Sequence, residues 1–184
     1  MGNVVPIVGV ILCTFQLSSP YKVVCDCRKQ RDLGSLNPIP LAVSFLNCIS
    51  WLIYSSVKGD FYLFLSVFAG MFISSFALIT AIQLLGVHGR YKAVGTLEKI
   101  LLVGLTVWVL LCSCVVIVKD MDLTMQILSV VLICSSAGYY ASPFSSILTI
   151  LRTGDASSIY LPTIALNVMA SLLWTTYGIF VAGL

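Results

Sequence analysis

The sequence predicts an all-α membrane protein: two parallel three-helix-bundle repeats joined by a linker helix, with six spans present. Three observations predict it. First, the 184 residues are 59% hydrophobic and only 9% charged, against about 25% charged in soluble domains, and a soluble fold of this size could not bury so much apolar surface. Second, the charges are confined. Residues 1–21, 33–57, 61–87, 100–118, 123–151 and 156–184 contain no Asp, Glu, Lys or Arg. Each run approaches or exceeds the ~20 residues that carry a helix across a ~30 Å hydrocarbon core. Third, the chain repeats itself. Ser19-Pro20 recurs as Ser142-Pro143, Lys29 as Arg152, Asp32 as Asp155, Trp51 as Trp174 and Tyr54 as Tyr177, all at one offset of 123 residues. Trp and Pro occur only three and six times, so their shared offset points to duplication rather than to the general likeness of apolar helices. Alternation with period two over ten-residue segments, which a membrane barrel requires, is absent.

Taken in order, span one covers residues 4–24, with Pro20 in its last third. A proline there removes a helical hydrogen bond and crowds the carbonyl four residues back, at Gln16. In a membrane such a defect is tolerated where protein or water re-satisfies the backbone. The first loop is expected to carry Arg28, Lys29, Arg31 and Asp32. Pro38 and Pro40 open span two, residues 39–57, on which Asn47, Trp51 and Tyr54 share one face. Lys58-Gly59-Asp60 makes a short turn into span three, residues 61–87. Its stripe of Ser66, Gly70, Ser74, Ala77 and Ala81 is read as a packing surface, since small residues let helices approach closely in lipid. A polar loop with His88, Arg90, Lys92, Glu98 and Lys99 follows, His88 being read as a solvated loop residue. Span four, residues 100–118, has no counterpart in the repeat. Span five, residues 123–151, carries a second small-residue stripe and Pro143, with Tyr139-Tyr140 just before it. Span six begins near residue 159 with Pro162 in its first turn, and Asn167, Ser171, Trp174 and Gly178 share a face.

The division that follows is a first repeat at residues 1–87, a linker helix with flanking loops at 88–122, and a second repeat at 123–184 with helices five and six only. A three-span unit has odd parity, so two units joined directly would point oppositely; one extra span makes them parallel. Parallel repeats mark transporters with a midplane site at the repeat interface. Placing the first loop in the cytoplasm puts eight basic residues inside (Lys22, Arg28, Lys29, Arg31, Arg90, Lys92, Lys99 and Arg152) and two outside (Lys58 and Lys119). That bias sets both termini outside. The N-terminus lacks the positive region of a removable signal peptide.

Other functions are disfavoured. No basic face interleaves with exposed aromatics, so nucleic acid is not expected. The seven cysteines are scattered and the one histidine lies apart from them, so neither a metal site nor another cofactor is expected. An enzyme is not expected either: intramembrane hydrolysis needs a nucleophile with a base, or paired carboxylates, and the spans hold serines without histidine or acid. The same lack of ionisable groups argues against proton or sodium coupling.

These residues resemble the SWEET (MtN3/saliva) sugar transporters, built as three spans, a linker span and three spans. The resemblance rests on Leu17-Ser18-Ser19-Pro20, then Pro40 with Asn47 to Tyr54 and Asp60. It continues with Tyr140-Ala141-Ser142-Pro143, then Pro162 with Asn167, Trp174 and Tyr177-Gly178. It covers nearly the whole chain. The related PQ-loop family shares the fold, but its Pro-Gln pair is absent: Tyr21 follows Pro20 and Phe144 follows Pro143. The resemblance implies that Pro20, Pro40, Pro143 and Pro162 let helices bend at the cytoplasmic gate. It implies that Tyr54 and Tyr177 form an aromatic pair near the outer gate, and that Trp51 and Trp174 hold a sugar from its two faces. Asn47 and Asn167 are candidate hydroxyl partners. Two departures stand out: Val67 occupies the place of a family asparagine, and a seventh span is missing. The expectation is a facilitative, bidirectional mono- or disaccharide transporter, multi-pass in the plasma membrane or an endomembrane. It works as a homo- or hetero-oligomer, the alternative being a non-transporting subunit that assembles with full-length relatives.

Overall fold

The structure is a computed structural model that describes residues 4–34, 36–118, 120–141 and 161–180. Among these residues every regular element is helical: α1 (Val4–Ser18), α2 (Tyr21–Gln30), α3 (Ile39–Lys58), α4 (Phe61–Val87), α5 (Tyr91–Ile117), α6 (Met121–Ala141) and α7 (Leu161–Phe180). Five stretches of the described residues are long and apolar enough to cross a membrane: Val5–Gln30, Ile39–Lys58, Phe61–Val87, Tyr91–Ile117 and Met121–Ala141. The sixth predicted span falls on α7, whose apolar section is Ala165–Thr176. The chain is therefore an all-α membrane protein.

The first predicted span is two helices, α1 and α2, broken at Ser19-Pro20. Pro20 cannot donate to the Gln16 carbonyl, and that carbonyl instead accepts the Ser19 amide at 3.2 Å. The chain resumes as helix because Pro20, at φ −74° and ψ −14°, is already in the helical region. Between α3 and α4 the turn is set by two residues. Gly59 ends α3 at φ +72°, a left-handed conformation that only glycine adopts without cost. Asp60 then caps α4 by accepting the Leu63 amide at 3.0 Å, an interaction generally worth about 1 kcal/mol.

Two expectations need correction. Arg28 and Lys29 lie on α2, not in a loop, and Lys92, Glu98 and Lys99 lie on α5. A charge-free run marks the part of a helix in hydrocarbon, and both helices continue past it into turns whose charged side chains are exposed. His88 is exposed, but it also makes a cross-link. It caps α4, and its Nε2 lies 2.6 Å from the Arg31 carbonyl and 3.8 Å from Asp32 Oδ1. The ends of α2 and α4 are therefore tied together.

α4 packs against α1, α2 and α3, and all five residues of its predicted stripe are buried. At Gly70 the reason is visible: the Leu17 side chain of α1 occupies the space a Cβ would need. α5 packs on α3 and α4, with Leu46 set against Gly104 in the same way. Around α2, α3, α4 and α5 an apolar core forms at the charged end of the molecule, with Val24, Leu41, Ala77, Leu85 and Leu97 among its buried residues. Leu102, Val103, Val109, Leu110 and Val116 of α5 are exposed, as a lipid-facing surface requires.

Two further seams complete the architecture: α1 packs on α7, and α3 packs on α6. The offset of 123 residues maps α1 onto α6 and α3 onto α7. Each seam is thus the other's equivalent, as a two-fold axis along the helices requires.

Candidate functional site

A set of polar side chains links the two halves where α1, α3, α6 and α7 meet. Asn47 on α3 is 7% exposed, and its Oδ1 accepts a hydrogen bond from Ser136 Oγ on α6 at 3.2 Å. One turn along, Ser50 Oγ is 2.9 Å from Ser135 Oγ. Gln16 on α1, also 7% exposed, hydrogen-bonds Tyr139 on α6. Gln16 and Tyr139 are separated by the repeat offset of 123 residues. Two equivalent positions can touch only beside the axis that relates them, so this bond marks the axis.

Trp174 crosses from the second half to the first. Its indole N–H donates to Cys13 Sγ at 2.9 Å, and its ring lies over Gly9 of α1. A Cβ at Gly9 would sit 3.1 Å from that ring and 2.9 Å from the tip of Leu173. Glycine is what admits the indole here. Trp51 behaves differently. Its ring meets Tyr54 on its own helix, edge-on, with centroids 6.2 Å apart. Lys58 in turn covers Tyr54 at 5.7 Å. Asn167 on α7 keeps its Oδ1 buried and without a hydrogen-bond partner. An unsatisfied buried carbonyl oxygen is costly, and a ligand hydroxyl or a water would relieve that cost.

The remaining predicted residues divide as follows. Pro20 sits at the break between α1 and α2, beside a small cleft it shares with Leu41 and Ser44 of α3. Pro40 lies in the first turn of α3, where a missing amide breaks no helical hydrogen bond. Pro162 holds the matching place as the second residue of α7, and Tyr177 lies in that helix's last turn. Pro143 lies outside the described residues. Val67 is 8% exposed on α4. Sequence reasoning passed over Gly9, Cys13, Ser136 and the pairing of Gln16 with Tyr139. For the last, the repeat offset was an available signal, hidden because the two residue types differ.

Among the described residues no group of His, Cys, Asp or Glu is arranged to hold a metal. Charge gathers instead at one end, around Asp32. The Gly34 amide donates to Asp32 Oδ1 at 3.2 Å and, with His88 and Arg90 nearby, holds the carboxyl below its ordinary value.

Residues 3–84 match the MtN3/saliva family, described as "Sugar efflux transporter for intercellular exchange". The chain is also similar to "Sugar transporter SWEET1" of Drosophila pseudoobscura pseudoobscura, at 25% identity over 176 residues, covering 95% of this chain and 75% of that protein. By these matches the chain is similar to the SWEET (MtN3/saliva) family of sugar transporters.

Proposed function

We propose that this protein is a facilitative sugar carrier that moves a mono- or disaccharide in either direction by alternating access. The observation that carries the reading is Trp174, an indole of one half seated on α1 of the other, within a charge-free interior that also holds Asn47 and Asn167. An indole face covers the C–H face of a sugar ring, and a few buried amides orient its hydroxyls. Trp51 supplies the second ring and Asn167 Oδ1 a waiting acceptor. Tyr54 and Tyr177 close the outer end, and Pro20, Pro40, Pro143 and Pro162 give the helices freedom to bend at the other. With no Asp, Glu, Lys, Arg or His in this interior, a coupling ion has no carrier group, so flux follows the sugar gradient alone.

The basic residues near Arg31 and Arg90 support a cytoplasmic position for that end and an N-terminus outside; the proposed location is the plasma membrane, an endomembrane being the alternative. Residues 1–87, 88–122 and 123–184 act as first bundle, linker and second bundle. The relative named above is itself called a sugar transporter, which supports the substrate class. Purified protein in liposomes should exchange trapped labelled glucose or sucrose for external unlabelled sugar. Absence of exchange with every sugar tried, from protein shown to be folded, would refute the proposal. Exchange restored only on adding a full-length relative would favour the subunit reading.

A further inference from the structure

The repeat offset allows the two seams between the halves to be compared position by position. Across α3 and α6, Ser50 meets Ser135 at 2.9 Å and Ser136 donates to Asn47 at 3.2 Å. At the equivalent places on α7 and α1, Ser50 becomes Leu173, Ser135 becomes Leu12, Asn47 becomes Ala170 and Ser136 becomes Cys13. Neither hydroxyl-to-hydroxyl nor hydroxyl-to-amide pairing is possible there. The described contacts across α1 and α7 are of another kind: an indole N–H on a thiol sulfur, a weak acceptor, and apolar side chains lying over Gly9. α3 is braced outside the seam by both α4 and α5, with Leu46 fitted against Gly104. α1 is braced by α4, at Gly70, and carries the backbone break at Ser19-Pro20.

We infer that the two seams do different work: α3 and α6 form the fixed pivot between the halves, and α1 and α7 form the seam that opens. A directed hydrogen bond between two helices has one good register and is lost on sliding. A smooth apolar contact over a glycine changes little when the helices slide or part. Rocking therefore costs least when it hinges on the stapled seam. This rests on the alternating-access reading, but one arm of its test does not depend on sugar flux.

That arm uses two nitroxide pairs at equivalent positions, with the remaining native cysteines replaced by serine. Ile11→Cys with Leu172→Cys spans α1 and α7. Native Cys134 with Ile49→Cys spans α6 and α3. In reconstituted protein the first pair should give a broad or two-peaked distance distribution and the second a single narrow one. Equal widths, or the broad distribution at α3 and α6, would overturn the inference whether or not the protein carries sugar. The second arm uses disulfides, again at equivalent positions. Oxidised Ser50→Cys/Ser135→Cys protein should keep most of its sugar exchange. Oxidised Leu12→Cys/Leu173→Cys protein should lose it and regain it on reduction. The reverse pattern, or no difference between the two, would contradict the pivot.

Discussion

Gly70→Ala tests how the first bundle is held together. A Cβ at this position meets the Leu17 side chain of α1, with Leu17 Cβ at 2.9 Å and Cγ at 3.0 Å. Ordinary contacts begin at 3.4 Å. The obstacle is the root of a side chain, so rotation about χ1 does not move Leu17 Cβ, and α1 and α4 must separate by about half an ångström. Overpacking of this kind costs about 1–3 kcal/mol, offset by up to about 1 kcal/mol from the better helix propensity of Ala. The net loss is about 1–2 kcal/mol, and for a chain of this size roughly 2–8 °C in Tm. Gly86→Ala is the matched control, since nothing lies within 4 Å of its added methyl. It should be neutral or slightly stabilising. Gly104→Ala should fall between, because there the closest atoms are the flexible Cδ ends of Leu46. Thermal unfolding in mild detergent, followed by loss of the monodisperse peak, ranks the three. Gly70→Ala matching Gly86→Ala would refute the close α1–α4 contact.

Three further outcomes follow. Ser136→Ala removes one hydrogen bond between the halves, worth about 0.6 kcal/mol in membrane proteins on average, and should leave sugar affinity nearly unchanged. Asn47→Ala removes the same bond and a proposed sugar partner, so it should also raise the half-saturation concentration by roughly ten- to a hundredfold; equal effects of the two on affinity would remove Asn47 from the site. Asp32→Ala should lower thermal stability at neutral pH. The carboxyl is held below its ordinary value by Gly34, His88 and Arg90, so its stabilising contribution is present above that value and fades as pH falls through the depressed one. Wild type and variant should converge in acid, and a gap that widens in acid would reverse the assignment.

Much of the fold was legible because it follows from where charge is forbidden. The charge-free runs located α3, α4 and the start of α6 to within about two residues, the usual uncertainty of helix ends. They misjudged α2 and α5 because a helix need not stop where hydrocarbon does: Leu97 is fully buried, yet Glu98 and Lys99 beside it are exposed. The repeat was legible in its rare residues. Its consequence at the axis was not, because Gln16 and Tyr139 share a register without sharing chemistry. Helix rotation decides which face meets which neighbour, and periodicity alone leaves that open in a helix apolar all round. Asn47 and Trp174 were expected to face the opposite half, and both make contacts there. The family resemblance paired Trp51 with Trp174 on the two faces of a sugar, but the ring contact described for Trp51 is with Tyr54 on its own helix.

Uncoupled sugar transport by this protein depends most on Trp174 as a sugar-facing ring. Counterflow of labelled glucose or sucrose should be measured for wild type and Trp174→Ala in the same liposomes, with and without a proton gradient. Wild-type exchange should saturate and ignore the gradient, and the variant should remain folded yet lose exchange. Undiminished exchange by the variant, or wild-type exchange that stops when the gradient is collapsed, would contradict it.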